Sequence, residues 1–202
     1  MLRSLIFDLG GVIVPCDFSR GYAAIEKLCP YAANDIPRRI ASTDLVHQFE
    51  TGKIEPEHFF EELSGVLELQ IRYEQFREIW SSIFLPESLL PESLFAELRS
   101  RGYRLLALSN TNAIHFPAAQ ERYGALRYFD AASLSYEVGA MKPAPAIYED
   151  AIAKALCRPE ECFFTDDVEV YVEGARKAGM DAVQFLSPDQ LMGELRARGV
   201  LS

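Results

Sequence analysis

At 202 residues, with 49% hydrophobic and 25% charged side chains, the chain is long enough to bury a full core and has the make-up of a soluble globular enzyme of one or two domains. Thirty acidic residues against twenty basic leave a formal charge of −10, a field that repels nucleic acid and anionic lipid and sets both aside as partners. The same field repels a small anionic substrate, so a site for one has to bring local positive charge or a metal ion.

The start, MLRSLIFDLGG, is apolar only as far as an aspartate, which makes a poor signal peptide. No run approaches the ~20 apolar residues that span a bilayer. No membrane partner and a cytoplasmic location are therefore expected. The cysteines Cys16, Cys29, Cys157 and Cys162 have neither CxxC nor zinc spacing and read as idle thiols in a reducing compartment. Nothing in the sequence sets an oligomeric state.

Leu5–Phe7 reads as a short strand. From about Phe18 to Leu85 the pattern is helical without a convincing strand, clearest over Pro56–Leu69 and Tyr73–Phe84. A helix over Pro91–Ser100, closed at Gly102, precedes strands at Arg104–Leu108 and Ala131–Leu134. A helix over Ala144–Leu156 follows two prolines, then come a strand at Cys162–Thr165, a helix over Val170–Ala178 closed at Gly179, and a strand at Ala182–Leu186. Continuous apolar strands alternating with helices predict an α/β, doubly wound, Rossmann-like parallel sheet. The helical block, residues 17–87, is expected as an inserted α-helical cap on a core made of 1–16 and 88–202, with prolines at both exits.

Four strand-end loops carry residues suited to chemistry. In IFDLGGV the strand runs into Asp8 and then Gly10 and Gly11, which allow close backbone approach to a ligand. In LLALSNTN, Ser109, Asn110, Thr111 and Asn112 suit a helix cap, and a capped helix start is also an anion site. Lys142, in GAMKPAPAIYE, reads by itself as a solvated surface charge, but at this sheet edge it offers a cation to a bound anion. Asp166 and Asp167, in CFFTDD, serve equally as turn residues or, with Asp8, as hard oxygen ligands for Mg2+.

The order Asp8, Ser109, Lys142, Asp166–Asp167, each after its own strand, resembles the four motifs of the haloacid dehalogenase (HAD) superfamily over the whole chain, helical insert included. Within it, IFDLGGVIV, LSNTN, MKPAPAIY and FFTDD look most like the bacterial α-D-glucose-1-phosphate phosphatases. The resemblance implies a Mg2+-dependent phosphatase acting on a small phosphorylated metabolite, a hexose 1-phosphate favoured, through an aspartyl-phosphate on Asp8. It assigns catalysis to Asp8, Ser109 and Lys142 and phosphoryl binding to Ser109, Asn110 and Lys142. The ion falls to Asp8, the Gly10 carbonyl and Asp167, with Asp166 beside it or reached through water.

Two positions depart from the family pattern. Gly10 stands where these phosphatases usually carry an acid–base aspartate, and Tyr171 where relatives often have asparagine or aspartate. Proton transfer contributes roughly 10²–10⁴ in rate, so Asp17, His47 and His115 become candidates to fill the gap, each with surface or core packing as its ordinary alternative. Trp80, Phe59 and Phe60 are expected in core packing rather than in sugar contact. Two other functions compete: a metal-free dehalogenase, which would waste the Asp166–Asp167 pair, and a phosphate- or protein-binding scaffold that has lost its acid. A phosphomutase is disfavoured, because the reverse transfer needs that acid most.

Overall fold

A computed structural model describes all 202 residues. The chain runs β1 (Ser4–Phe7), α1 (Phe18–Glu26), α2 (Ile36–Ala41), α3 (Leu45–Glu50), α4 (Pro56–Leu67), α5 (Tyr73–Trp80), α6 (Glu92–Ser100), β2 (Arg104–Ser109), α7 (His115–Arg122), β3 (Ala131–Leu134), α8 (Ser135–Val138), α9 (Pro145–Ala155), β4 (Cys162–Asp166), α10 (Glu169–Lys177), β5 (Asp181–Gln184) and α11 (Pro188–Ala197). The five strands form one parallel sheet in the order β3-β2-β1-β4-β5, the α/β fold expected from the alternation.

Successive strand residues face opposite sides of the sheet, and both sides are covered. Leu5, Phe7, Leu105 and Phe163 pack against α6, α7 and α11, whereas Ile6, Leu106, Phe164 and Ala182 pack against α9 and α10. That double burial explains why β1 and β4 are buried along their whole length and carry the continuous apolar runs Leu5–Phe7 and Cys162–Phe164 instead of alternating. Central β1 pairs with β2 on one side and β4 on the other, so the strand order reverses at β1. A crevice opens at such a reversal beyond the carboxyl ends of the strands, and Asp8 stands in it.

Helices α1–α5 enclose an apolar core of their own, centred on Phe49, Phe59, Leu63 and Phe76. Two chain passages join this block to the sheet and bond to each other through Asp17 N–H to Ile83 O (2.8 Å) and Leu85 N–H to Pro15 O (3.0 Å). Several ends differ from the sequence pattern for local reasons. α4 stops at Leu67 because Glu68 turns left-handed at φ 55°, and Tyr73–Phe84 breaks after Trp80 into a tighter turn over Ser81–Ile83. β5 covers Asp181–Gln184, and Leu186, read as strand from its hydrophobicity, is exposed.

Candidate active site

Asp8 follows β1, and its carboxylate is held by two donors on one oxygen: Leu9 N–H at 2.7 Å and Lys142 Nζ at 2.8 Å, both to Oδ1. No hydrogen bond engages Oδ2. The Leu9 carbonyl accepts from the N–H groups of Ile13 (2.9 Å) and Val14 (2.7 Å), folding the Gly10–Gly11 segment into a tight turn. Gly11 sits at φ 75°, and a Cβ there would collide with the Asp167 carboxylate, so this glycine lets the first and fourth loops meet. Gly10 has no such constraint, for a Cβ on it would meet nothing within 4 Å.

Lys142 is buried at the centre of the cluster. Its ammonium donates to Asp166 Oδ2 (2.6 Å) and the Leu108 carbonyl (3.0 Å) and forms an ion pair with Asp8 Oδ1 at 2.8 Å. Burial pulls its pKa down, but the charges of Asp8 and Asp166 outweigh this and leave it above the ordinary lysine value. Lys142 is therefore a fixed positive charge. With two protons donated into the core, it lines the cavity beside Asp8.

The neighbours hold that arrangement. Asn110 clamps the Lys142 backbone from both ends, accepting from its N–H at 2.7 Å and donating to its carbonyl at 3.2 Å. This spends the Asn110 side chain, so its main-chain N–H is what remains for a phosphoryl oxygen. Ser109 is buried in the cavity wall, and its hydroxyl makes only a long 3.5 Å contact with the Asn110 carbonyl. Asp166 is fully buried with both oxygens in use, Oδ1 by Val168 N–H (2.9 Å) and Oδ2 by Lys142. Asp167 is exposed and carries no such load.

Asp8, Ser109, Asn110, Lys142 and Asp167 line one cavity of about 460 Å³, whose far wall comes from the helical block through Phe18, Glu50, Ile83 and Phe84. Oxygens of Asp8, Asp166 and Asp167 all lie within 4.8 Å of one another. Burial, opposed by Lys142 and reinforced by Asp166, pushes the Asp8 carboxyl up to about 7, and burial together with Asp166 also raises Asp167. Like charges crowded in this way call for a cation, and the donors on offer are all oxygen. No loop hydrogen bond uses the Gly10 carbonyl, which lines the same cavity. The residues fit a Mg2+ site.

The sequence profile of the haloacid dehalogenase-like hydrolase family matches residues 2–179. The chain belongs to that family. Among characterised relatives, D-ribitol-5-phosphate phosphatase of Bacteroides thetaiotaomicron is 27% identical over 190 residues, 91% of this chain and 92% of that protein. A HAD family enzyme from the same organism, solved with magnesium and inorganic phosphate, superposes with a TM-score of 0.80 at 27% identity, covering 93% of this chain and 96% of that one. A HAD-like hydrolase from Porphyromonas gingivalis superposes over the full length of both chains with a TM-score of 0.81 at 25% identity.

In this HAD-like hydrolase the candidates for the missing acid are otherwise engaged. Asp17 caps α1, accepting from Ser19 N–H (3.0 Å) and the Ser19 hydroxyl (2.6 Å). His47 lines neither this cavity nor the smaller one beside it. His115 does reach the cavity, but both its nitrogens are bonded. Asn112 Oδ1 accepts from the N–H groups of Ile114 (3.1 Å) and His115 (2.9 Å), so its amide NH2 must point at His115 Nδ1, 3.1 Å away. Nε2, 2.9 Å from the Trp80 carbonyl, then has to be the donor. Burial, partly offset by the Trp80 carbonyl, lowers this histidine to about 4 and keeps it neutral. Cys16, also in the wall, is held as the thiol at about 11 by burial and by Asp8 and Asp167.

Tyr171 replaces a polar link with an aromatic one, its ring centroid 5.1 Å from Lys142 Nζ. Phe59 stacks on Phe49 at 4.3 Å, Phe60 packs against Tyr73 and Phe76, and Trp80 stacks on Phe76 and His115. Glu50 has no counterpart in the sequence expectations. It ends α3 in FETGKI, where nothing but a helix stop at Gly52 marks it.

Proposed function

We propose that this chain hydrolyses a small phosphomonoester of a sugar or polyol through a phosphorylated Asp8. It is a HAD-type phosphatase, a phosphoric monoester hydrolase, with Mg2+ as its cofactor. The observation that carries this reading is the meeting of three carboxylates within 4.8 Å around the buried ammonium of Lys142.

Asp8, the Gly10 carbonyl and Asp167 would hold Mg2+, and Asp166 anchors Lys142 beside them. When bound, the ion neutralises phosphoryl oxygens that the surrounding carboxylates would repel. Asp8 Oδ2 attacks phosphorus while Oδ1 is held by Leu9 and Lys142, and the Ser109 hydroxyl and Asn110 N–H receive the phosphoryl oxygens. Lys142 favours the ionised nucleophile. Residues 17–87 act as the cap over the leaving group, and residues 1–16 and 88–202 as the catalytic core. A metal-free dehalogenase has no use for this carboxylate cluster.

The relative's action on ribitol 5-phosphate supports a polyol phosphate, while the motif resemblance supports a hexose 1-phosphate. Four free thiols are consistent with a reducing cytoplasm, and no helix is long and apolar enough to cross a membrane. Phosphate release from ribitol 5-phosphate, glucose 1-phosphate and para-nitrophenyl phosphate, measured with Mg2+ and again with EDTA, tests the proposal. Turnover that EDTA abolishes is expected. Release unaffected by EDTA, or none from any ester, would refute it.

A further inference from the structure

Gly10 leaves the departing alcohol without its usual proton source, and Asp17, His47 and His115 do not replace it. Each remaining acid or base in the cavity wall, save Tyr171 and Glu50, already has a task or a partner.

Glu50 lies where the active-site cavity meets a second cavity of about 100 Å³ inside the helical block, walled by Tyr22, Ile25, Val46 and Trp80. Burial alone acts on its carboxyl, unopposed by any donor or cation, and pushes it up to about 7. A large share of Glu50 thus carries a proton at neutral pH. Its position is set from the core side. Gly52, two residues on, has φ 63°, and its backbone lies so close to the Tyr136 carbonyl of α8 that a Cβ would have no room. That contact fixes the end of α3 to the edge of the core that leads into Lys142.

We propose that Glu50 is the general acid–base residue of this enzyme, acting from the cap in place of the side chain that Gly10 lacks. This rests on the phosphatase reading above. As Asp8 Oδ2 bonds to phosphorus and the phosphorus–oxygen ester bond breaks, the Glu50 proton passes to the leaving oxygen, giving the free alcohol and a Glu50 carboxylate. That carboxylate then takes a proton from water as the water oxygen bonds to phosphorus. The bond from phosphorus to Asp8 breaks, releasing inorganic phosphate and restoring both the Asp8 carboxylate and protonated Glu50.

The test compares kcat for ribitol 5-phosphate, whose leaving group is an alkoxide, with kcat for para-nitrophenyl phosphate, whose leaving group departs unprotonated. Glu50→Gln is expected to lower the alkyl-to-aryl ratio by about 100-fold or more, in line with general acid catalysis. Glu50→Asp keeps a carboxyl and is expected to retain more alkyl turnover than Glu50→Gln. Equal losses on both esters, a reversed order of the two variants, or a selective alkyl loss in Tyr171→Phe instead would overturn the assignment. Wild-type turnover of the aryl ester alone would overturn it while leaving the phosphatase reading intact. A wild type inert towards every ester would overturn the phosphatase reading itself.

Discussion

Replacing Glu50 by glutamine should also change stability, in a way that is independent of catalysis. Its carboxyl is raised from 4.5 to about 7 in the folded protein, so the native state holds a proton that the unfolded chain releases. Stability from this group is complete below pH 4.5, declines as pH rises through the window between the two values, and is lost above about 7. A shift of that size corresponds to at most about 3 kcal/mol. The cavity is open to water, and screening brings the expected loss to about 1–2 kcal/mol between pH 5 and pH 8. Glutamine has no proton to lose, so Glu50→Gln should gain that amount on the wild type over the same interval. The groups that share these cavities with residue 50 (Asp8, Cys16, Tyr22, His115, Lys142, Asp167 and Tyr171) titrate in both proteins and cancel in the difference. Urea unfolding at several pH values measures it. With a slope of roughly 2 kcal/mol per molar, the midpoint of the variant should rise over the wild type by about 0.5–1 M from pH 5 to pH 8. A difference that stays flat with pH would show that Glu50 is ionised in the folded protein at neutral pH and has no proton to give.

Four further outcomes follow from the site. Asp8→Asn should cut kcat by far more than tenfold with the fold intact, and a variant that kept over a tenth of the rate would exclude covalent attack, since that is under ~1.4 kcal/mol of barrier. Asp167→Ala should raise the Mg2+ concentration for half-maximal rate with little effect on unfolding, whereas Asp166→Ala, which strips the buried Lys142 of a counter-ion, should cost about 3–5 kcal/mol in urea unfolding; the opposite pattern would reverse the two roles. Asn110→Ala removes both side-chain bonds to the Lys142 backbone and should cost about 1–3 kcal/mol, read by the same unfolding measurement. Gly10→Asp has room for its side chain and should speed alkyl esters far more in the Glu50→Gln background than in wild type, measured as kcat/KM in both.

The sheet was legible because its strands are buried on both faces. Leu5–Phe7, Leu105–Leu108 and Cys162–Phe164 had to be apolar on both faces, and they read so. Where hydrophobicity served another purpose the pattern misled, as at exposed Leu186 beyond β5 and in the apolar tail of α4 past the left-handed Glu68. The short α8 and the final α11 have no counterpart among the expected helices. Asp8, Ser109 and the Asp166–Asp167 pair were legible because each lies at the end of its own strand, and Lys142 because it follows β3 after the short α8; the carboxyl ends of parallel strands share one edge. What each does there was less visible. The Asn110 side chain holds the Lys142 backbone, a contact the sequence did not suggest, while His115 looked like a titrating base and proves to be a neutral strut between Asn112 and Trp80. Glu50 was not legible at all, because its setting comes from two separated stretches of chain folding over each other.

The charge of the site ties these roles together. When all three carboxyls are ionised, Asp8, Asp166 and Asp167 against Lys142 leave two negative charges uncompensated before any substrate arrives. A pair of unit charges 4 Å apart in such a partly solvated setting interacts by about 4 kcal/mol, so a phosphate dianion entering beside that excess would be strongly expelled. A divalent cation held by Asp8 and Asp167 would remove the excess, whereas the single charge of Lys142, bonded to Asp166 and the Leu108 carbonyl, is already counted in it. An ionised aspartate at Gly10 would add a further negative charge next to the nucleophile, whereas a carboxyl group on the cap, desolvated and neutral, brings a proton to the leaving oxygen without adding to the repulsion at phosphorus. Placing the acid across the cavity thus separates the two demands on carboxylates here, ionised ones to bind the metal and attack, and a protonated one to let the alcohol go.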